Sequence, residues 1–121
     1  MPHARRRLGD VGEELAARFL AERGYVTLTR NYRCAAGEID LVCRDGETLA
    51  FVEVKTRRGS TFGMPEEAVT ARKLARLEAA GQDYLQRLNC LDSWRIDVVA
   101  VELDAHGKLL EIRLIAGAEA G

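Results

Sequence analysis

Two apolar segments separated by the turn signal Asp45-Gly46 constrain the fold more than any other feature of the sequence. Residues 38–44 and 48–56 are rich in strand-forming side chains, and an Asp-Gly pair between two such segments is typical of a β-hairpin. Side chains alternate between the two faces of a strand. Asp40 on the first strand and Glu53 and Lys55 on the second are therefore predicted to share one face of the hairpin.

The register of this hairpin depends on the length of its loop. With a two-residue loop at Asp45 and Gly46, Asp40 faces Phe51 and lies diagonal to Glu53. With a four-residue loop, Asp40 faces Glu53 directly. Both registers bring the two carboxylates together on the face that also carries Lys55.

Helical and strand-like patterns surround the hairpin. The predicted elements are a helix over residues 10–23 with Asp10 as N-cap and Gly24 as stop, a strand over 25–29, a basic loop or strand end over 30–37, a loop over 57–63, a helix from Pro65 to about residue 89, and strands over 94–101 and 109–115. The order α-β-β-β-α-β-β predicts a mixed α/β sheet of about five strands flanked by two helices. We expect the first helix on the side of the charged residues and the second helix covering the sheet.

Length, charge and cysteine content exclude several classes of protein. A chain of 121 residues that is 47% hydrophobic is predicted to form one domain over residues 1–121, with its core between about residues 8 and 115. The net charge of −1 argues against tight nonspecific binding of nucleic acid, but the uneven distribution of arginines leaves such a partner open.

No segment approaches the roughly 18 apolar residues of a membrane span. Three widely spaced cysteines form neither a disulfide framework nor a CxxC metal site, so we expect a cytoplasmic protein without a membrane partner.

The charged face of the hairpin suggests a metal site. Carboxylates and an ammonium group among apolar neighbours are costly to desolvate unless something pairs them. A divalent cation such as Mg²⁺ or Mn²⁺ prefers oxygen ligands, which Asp40, Glu53 and the main-chain carbonyl of Val54 would supply. Lys55 would then orient a water molecule for hydrolysis of a phosphodiester. The alternative is an ordinary ion-paired strand face in contact with solvent.

The spacing from Asp40 to Glu53-Val54-Lys55 resembles the core of PD-(D/E)xK nucleases, with Ile39 where that motif has proline. Further motifs occur in the order found in the YraN-like family, of which the chain is identified as a member over about residues 8–101. These motifs are Gly12-Glu13, Gly24-Tyr25, Asn31, residues 37–42, residues 51–57, Phe62-Gly63, residues 65–68, Lys73, Tyr84-Leu85 and residues 95–99.

The YraN-like family is similar to archaeal Holliday junction resolvases. That resemblance implies a restriction-endonuclease-like fold, dependence on Mg²⁺ or Mn²⁺, and action on branched DNA. Resolution of a junction needs two cuts, so the resemblance to dimeric resolvases also suggests a homodimer.

A glutamate on the first helix is the fourth candidate catalytic residue. The resolvases place one about eleven residues before a Gly-aromatic pair, and Gly24-Tyr25 puts Glu13 at that distance. Glu13 lies beside the apolar stripe of the helix, whereas Glu14 lies farther toward solvent. The alternative is that both glutamates only favour the helix N-terminus.

Two pairs of arginines flank the acidic residues and are the predicted contacts to nucleic acid: Arg30 with Arg33, and Arg57 with Arg58. Clusters of this kind are also common on solvated surfaces. Lys73 and Arg76 are expected on the outer face of the second helix.

Asp97 lies in an apolar strand, where a structural pairing, for example with Arg95, is more plausible than a role as metal ligand. The functional prediction is a metal-dependent endonuclease acting on DNA. The alternative is a module on the same fold that binds nucleic acid or a protein without cutting, in which the acidic cluster is structural.

Overall fold

The computed structural model describes residues 4–59 and 65–118. Their elements are α1 (Ala4–Glu22), β1 (Val26–Cys34), β2 (Gly37–Asp45), β3 (Thr48–Arg58), a 3-10 helix (Pro65–Ala68), α2 (Ala71–Arg87), β4 (Trp94–Leu103) and β5 (Leu109–Ile115). The predicted order of helices and strands is confirmed. Part of the predicted loop over 57–63, including the motif Phe62-Gly63, lies outside the described residues. Within the described ranges no helix is both long and apolar enough to cross a membrane.

The five strands form one open mixed sheet in the order β1-β2-β3-β4-β5. All neighbouring pairs are antiparallel except β3 and β4, which are parallel. A parallel pair needs a crossover connection, and α2 supplies it. The predicted mixed sheet of about five strands with two helices is therefore confirmed.

The two helices cover opposite faces of the sheet. Ala16 and Leu20 of α1 pack with Val52 of β3, whereas Leu77 of α2 packs with Phe51, the preceding residue of the same strand. This alternation along β3 follows from the geometry of a strand that is buried on both faces. The molecule thus has three layers, with a hydrophobic cluster on each side of the sheet.

The first helix begins earlier than predicted. It starts at Ala4, so Asp10 is an exposed residue within the helix and the predicted N-cap is wrong. Alanine, arginine and leucine before Asp10 are good helix formers, which explains the extension. The predicted stop at Gly24 is confirmed, since this glycine has a φ of +91° and Tyr25 N donates to Leu20 O at 3.0 Å.

The second helical region is divided into two elements, where a continuous helix from Pro65 was predicted. After the 3-10 helix, α2 starts anew behind Thr70, whose side chain accepts a hydrogen bond from Lys73 N at 3.2 Å. Threonine favours this capping position over the helix interior because its hydroxyl competes for backbone N–H groups.

The hairpin has the register in which Asp40 comes opposite Glu53. Asp45 pairs with Thr48 and Leu41 with Val52, so the loop consists of Gly46 and Glu47. This is the register predicted for the four-residue loop, although Asp45 and Thr48 also pair and shorten the loop itself. The predicted two-residue loop at Asp45 and Gly46 is wrong, because Asp45 still belongs to the strand. Gly46 has a φ of +64°, a conformation that favours glycine in a two-residue hairpin loop.

The strand β1 is longer than predicted. Residues 30–34, expected in a polar loop or strand end, continue β1 and pair with β2 as far as Cys34 and Gly37. Pairing with a neighbouring strand overrides the weak strand propensity of the polar residues. This extension brings Arg30 and Asn31 to the part of β2 that carries Asp40.

Candidate active site

Asp40 lies where β2 separates from β3. Regular pairing of the two strands ends at Leu41 and Val52. Residues two apart on a regular strand lie on the same face, yet Ile39 and Leu41 pack into the clusters on opposite faces of the sheet. The regular alternation of side chains along β2 is therefore interrupted at Asp40. The side chain of Asp40 accepts a hydrogen bond from Val54 N at 2.8 Å. It thereby satisfies a backbone donor of β3 beyond the last strand pair.

The carboxyl groups of Asp40 and Glu53 interact with one another, and Glu53 is only 4% exposed. Burial, followed by the negative charge of Glu53 and the hydrogen bond to it, raises the pKa of Asp40 to about 8. Two carboxyl groups can hydrogen-bond only through a proton that one of them carries. The raised pKa favours the protonated form of Asp40 when no cation is bound.

Two lysines approach the buried glutamate. Lys73 Nζ lies 3.1 Å and Lys55 Nζ 3.7 Å from Glu53 Oε2. The expectation that Lys73 lies on the outer face of its helix is wrong, because α2 begins at Ala71 and turns this side chain toward β3. Partial burial lowers the pKa of Lys73, but attraction to Glu53 and Asp40 outweighs it and leaves that pKa above its ordinary value.

Asp40, Glu53 and Lys73 line a pocket of about 230 Å³. Its lining residues are Gly37, Glu38, Asp40, Glu53, Lys73, Arg76 and Leu77. Since Leu77 belongs to the cluster beneath α2, the pocket opens on that side of the sheet. The expectation that the first helix lies on the active-site side is therefore wrong for this pocket, whose helical residues come from α2.

Glu13 is the point at which α1 approaches the acidic pair. Partial burial and the negative charges of Asp10 and Glu38 raise the pKa of Glu13, and its charge contributes to raising that of Asp40. With its amide nitrogen toward the carboxylates, Asn31 donates to Glu13 Oε1 at 3.1 Å and to Glu38 Oε1 at 3.2 Å. Asn31 thus connects Glu13 to the pocket, a role that the sequence reasoning missed. Its φ of +53°, which asparagine tolerates better than most residues, is a structural signal that the sequence does not display.

Glu14, the alternative helix carboxylate, points elsewhere. It is exposed and forms ion pairs with Arg30 at 2.8 Å and with Arg18 at 3.4 Å. Arg30, a predicted nucleic-acid contact, is therefore engaged on the surface of α1. Arg33, the second predicted contact, is 73% exposed and lies 3.5 Å from Glu38 at the edge of the pocket.

The other predicted arginine pair is divided by the alternation of β3. Arg57 is half-buried on the face that also carries Glu53 and Lys55. Arg58 is on the opposite face and donates to the Ala105 carbonyl from Nε at 3.2 Å and from Nη2 at 3.0 Å. The structure thus brings Arg57, and not Arg58, to the side of the acidic pair.

The metal ligands predicted from the sequence are oxygen atoms of Asp40, Glu53 and Val54. Among residues 4–59 and 65–118, no three His, Cys, Asp or Glu side chains are arranged to hold a metal ion. The candidate set is instead two carboxylates and one main-chain carbonyl. A buried carboxyl pair that retains a proton offers sites where a hard divalent cation can replace that proton, with water completing its coordination. The residues therefore fit Mg²⁺ or Mn²⁺.

Asp97 belongs to a separate buried network. Its carboxylate accepts hydrogen bonds from Tyr25 Oη at 2.8 Å, Arg95 Nε at 2.9 Å and Gly117 N at 2.9 Å. Arg95 also pairs with Asp45 at 2.7 Å. The predicted structural pairing of Asp97 with Arg95 is confirmed, and this network does not line the pocket of the acidic pair.

Comparison with known proteins finds relatives along nearly the whole chain. The sequence model of the "Uncharacterised protein family UPF0102" matches residues 12–101, which include all the candidate residues discussed above. A UPF0102 protein of Caldicellulosiruptor saccharolyticus is 44% identical over 117 residues, or 94% of this chain and 98% of the relative. One of Roseiflexus castenholzii is 50% identical over 95% of this chain and 94% of the relative. One of Moorella thermoacetica is 46% identical over 98% and 99%, respectively.

Proposed function

This chain belongs to the uncharacterised protein family UPF0102, the YraN-like family, and we propose that it is a divalent-metal-dependent endonuclease that hydrolyses DNA phosphodiesters. The observation that supports this proposal is the carboxyl pair of Asp40 and Glu53, which shares one pocket with Lys73 and has Lys55 Nζ 3.7 Å from Glu53. The resemblance of its motifs to those of junction resolvases makes branched DNA the proposed substrate class.

In this proposal Asp40, Glu53 and the Val54 carbonyl would hold Mg²⁺ or Mn²⁺, and the proton that Asp40 carries without the ion would pass to solvent water. The bound ion would supply Lewis acidity and offset the charge that develops on the phosphate. Lys55 lies on the same strand face as Glu53, with its Nζ 3.7 Å from that carboxylate. Its ammonium group donates a hydrogen bond to the attacking water and stabilises the negative charge developing on that oxygen.

Glu13 and the arginines have supporting roles. Asn31 holds Glu13 beside Glu38 at the pocket, and the charge of Glu13 acts on Asp40. Of the predicted arginines, Arg33 lies at the edge of the pocket and Arg57 on the strand face of Glu53, and these two are proposed to contact phosphates. Arg30 and Arg58 would first have to leave Glu14 and the Ala105 carbonyl.

Cleavage assays on labelled junction, flap, duplex and single-stranded DNA test the proposal. With Mg²⁺ or Mn²⁺, and not with chelator, we expect cutting of at least one substrate. Asp40→Asn and Glu53→Gln should abolish cutting, and Lys55→Ala should slow it about 10²- to 10³-fold, as loss of one stabilising donor does in other enzymes. The matched control is Glu47→Gln, an exposed carboxylate of the hairpin loop, which should cut like the wild type.

A binding module is the second candidate function, and one observation favours it. Lys73 and Lys55 already neutralise Glu53 without any ion, so the acidic cluster is electrostatically satisfied as a structural feature. If the wild type and Glu53→Gln bind DNA equally and neither cuts any substrate with either metal, the endonuclease proposal fails and this candidate replaces it.

The proposal also includes a homodimer and a cytoplasmic location. Two copies would supply two sites for cutting paired strands of a junction. Gel filtration that gives a monomer at all concentrations, with DNA as well as without, would contradict paired cutting. The free thiols of Cys34, Cys43 and Cys90 agree with a reducing compartment.

A further inference from the structure

The helix α2 places two basic side chains at the same pocket. Lys73 and Arg76 are three residues apart, so they lie on one face of the helix. Both line the pocket that contains Asp40 and Glu53. Neither was expected there from the sequence, which placed both on the outer face of the second helix.

Arg76 differs in its contacts from Arg87, the arginine at the end of the same helix. Arg87 forms an ion pair with Asp83 at 3.0 Å. Arg76 is exposed at the pocket and forms no ion pair or hydrogen bond with any other residue in the described ranges 4–59 and 65–118. A guanidinium group with free donors beside a pocket is suited to an anion with several oxygens.

The charges around the pocket indicate when an anion would be accepted. Glu38, Asp40 and Glu53 oppose Lys73 and Arg76, so the lining alone has an excess of one negative charge when all five groups are ionised. Binding of a divalent cation to the carboxylates would turn this into an excess of one positive charge. One phosphodiester carries the single negative charge that would balance it.

We propose that Lys73 and Arg76 form a phosphate-binding pair on α2 that holds one phosphate of a nucleic-acid backbone over Asp40 and Glu53. The inference rests on the proposed function for the identity of the ligand, and it adds a positioning role that neither the motif nor the family assigns. Lys73 now donates to Glu53. A cation on that carboxylate would release the Lys73 ammonium group to the phosphate, whereas Arg76 is available in either state.

The test compares Arg76→Ala and Lys73→Ala with the matched control Arg72→Ala. Arg72 is an adjacent exposed arginine of α2 that does not line the pocket. Fluorescence anisotropy measures the affinity for labelled duplex and junction DNA between about 50 and 200 mM salt, with chelator and with Mg²⁺. Loss of one phosphate contact lowers the salt slope by about 0.9, which makes the fall in affinity over this range about threefold smaller.

We expect this shallower salt dependence and weaker binding for Arg76→Ala in both conditions, and for Lys73→Ala mainly with Mg²⁺. Arg72→Ala should behave like the wild type, and Arg76→Lys should recover most of the affinity because it keeps the charge. Urea unfolding of each variant checks that the fold is intact. Equal DNA affinity and salt slope for Arg76→Ala and Arg72→Ala would overturn the inference.

Binding and cleavage separate the inference from the proposed function. If Arg76→Ala weakens DNA binding but the wild type cuts nothing, the phosphate pair stands and the endonuclease fails. If the wild type cuts DNA, but Arg76→Ala and Lys73→Ala both match Arg72→Ala in binding and in cleavage rate, the endonuclease stands and the phosphate-binding pair fails. A parallel titration with inorganic phosphate identifies the source of the anion. Phosphate binding that depends on Arg76 with unchanged DNA affinity, or no binding of either ligand, would overturn the assignment to a nucleic-acid backbone.

Discussion

Glu53 is the residue on which the candidate site depends most directly. It is almost completely buried, yet it contacts a carboxyl group and two ammonium groups. A buried charge is tolerated only while its partners remain, and removing one partner of such a group is strongly destabilising. Substitutions at this site must therefore be followed by stability as well as by activity.

The pH dependence of stability reports the proton that Asp40 and Glu53 share. The pKa of Asp40 is raised to about 8 in the folded protein, from an ordinary value of 3.8. Between these values the folded state binds more protons than the unfolded state, so the free energy of unfolding decreases as pH rises from about 4 to about 8. The slope is at most about 1.4 kcal/mol per pH unit for one proton. We expect Asp40→Asn to remove most of this dependence in metal-free protein.

Urea unfolding at several pH values between about 5 and 8.5, which covers most of this decrease, measures the effect. Glu78→Gln, which changes an exposed carboxylate on α2, serves as control and should keep the wild-type slope. If Asp40→Asn and the wild type lose stability equally as the pH rises, the shared proton is not at this pair.

Sequence predicts the residues that the hairpin brings to the site better than the lysine that α2 supplies. Asp40, Glu53 and Lys55 follow from alternation along a hairpin, which is a local property of the chain. The approach of Lys73 depends on where α2 begins and how it crosses the sheet. Both are tertiary features, so the pattern of the helix alone placed Lys73 in solvent.

The contact between α2 and β3 explains a residue that helix propensity alone would disfavour. Gly81 lies in the middle of α2, where glycine costs about 1 kcal/mol relative to alanine. A Cβ atom at this position would lie 2.6 Å from two ring atoms of Phe51. The absence of a side chain at Gly81 therefore allows the ring of Phe51 on β3 to pack directly against the backbone of α2. This contact helps to fix the position of the helix on the sheet.

Gly81→Ala tests this close contact. In an open helix the substitution would stabilise the protein, but here we expect a loss of about 1–3 kcal/mol from overpacking. Gly9→Ala is the matched control, because Gly9 is a helical glycine with no atom within 4 Å of the added Cβ, and it should gain up to about 1 kcal/mol. Denaturant midpoints measure both. A stabilising Gly81→Ala would show that the ring of Phe51 can move away at little cost.

At the level of elements, the sequence predicts every helix and strand in order but places several ends incorrectly. The stop at Gly24 is signalled by one residue with a special backbone conformation. The start of α1 is not signalled in this way, because residues with high helix propensity continue before Asp10. The break before α2 is not signalled either, because it depends on the capping of α2 by Thr70. The extension of β1 depends on its partner β2, which a pattern read along one segment does not contain.

For the molecule as a whole, the proposed metal couples the site to global stability. A ligand that binds only the folded state raises its stability by about 2.7 kcal/mol at a free concentration 100 times its Kd. We expect Mg²⁺ or Mn²⁺ to raise the Tm of the wild type, and to raise it far less in Glu53→Gln and Asp40→Asn. Differential scanning calorimetry measures the shift.

Glu47→Gln provides the comparison for this experiment, since its carboxylate is exposed on the hairpin loop. It should respond to metal like the wild type. An equal rise in Tm for Glu53→Gln and the wild type would place any metal binding elsewhere and would contradict the ligand set, whatever the result of the cleavage assays.

The order of the strands in the sheet is also their order along the chain, and this has a consequence for folding. Three of the four strand pairs join neighbours through short connections, so closing them costs little chain entropy. The parallel pair of β3 and β4 must wait for the longer crossover through α2, and non-local pairing of this kind is slow. The hairpin therefore brings Asp40 and Glu53 together before the crossover delivers Lys73. During that interval Lys55 is already on the hairpin but Lys73 has not arrived, so a proton or a cation from solution should help to relieve the repulsion between the two carboxylates. We therefore expect refolding rates to depend on pH and on Mg²⁺.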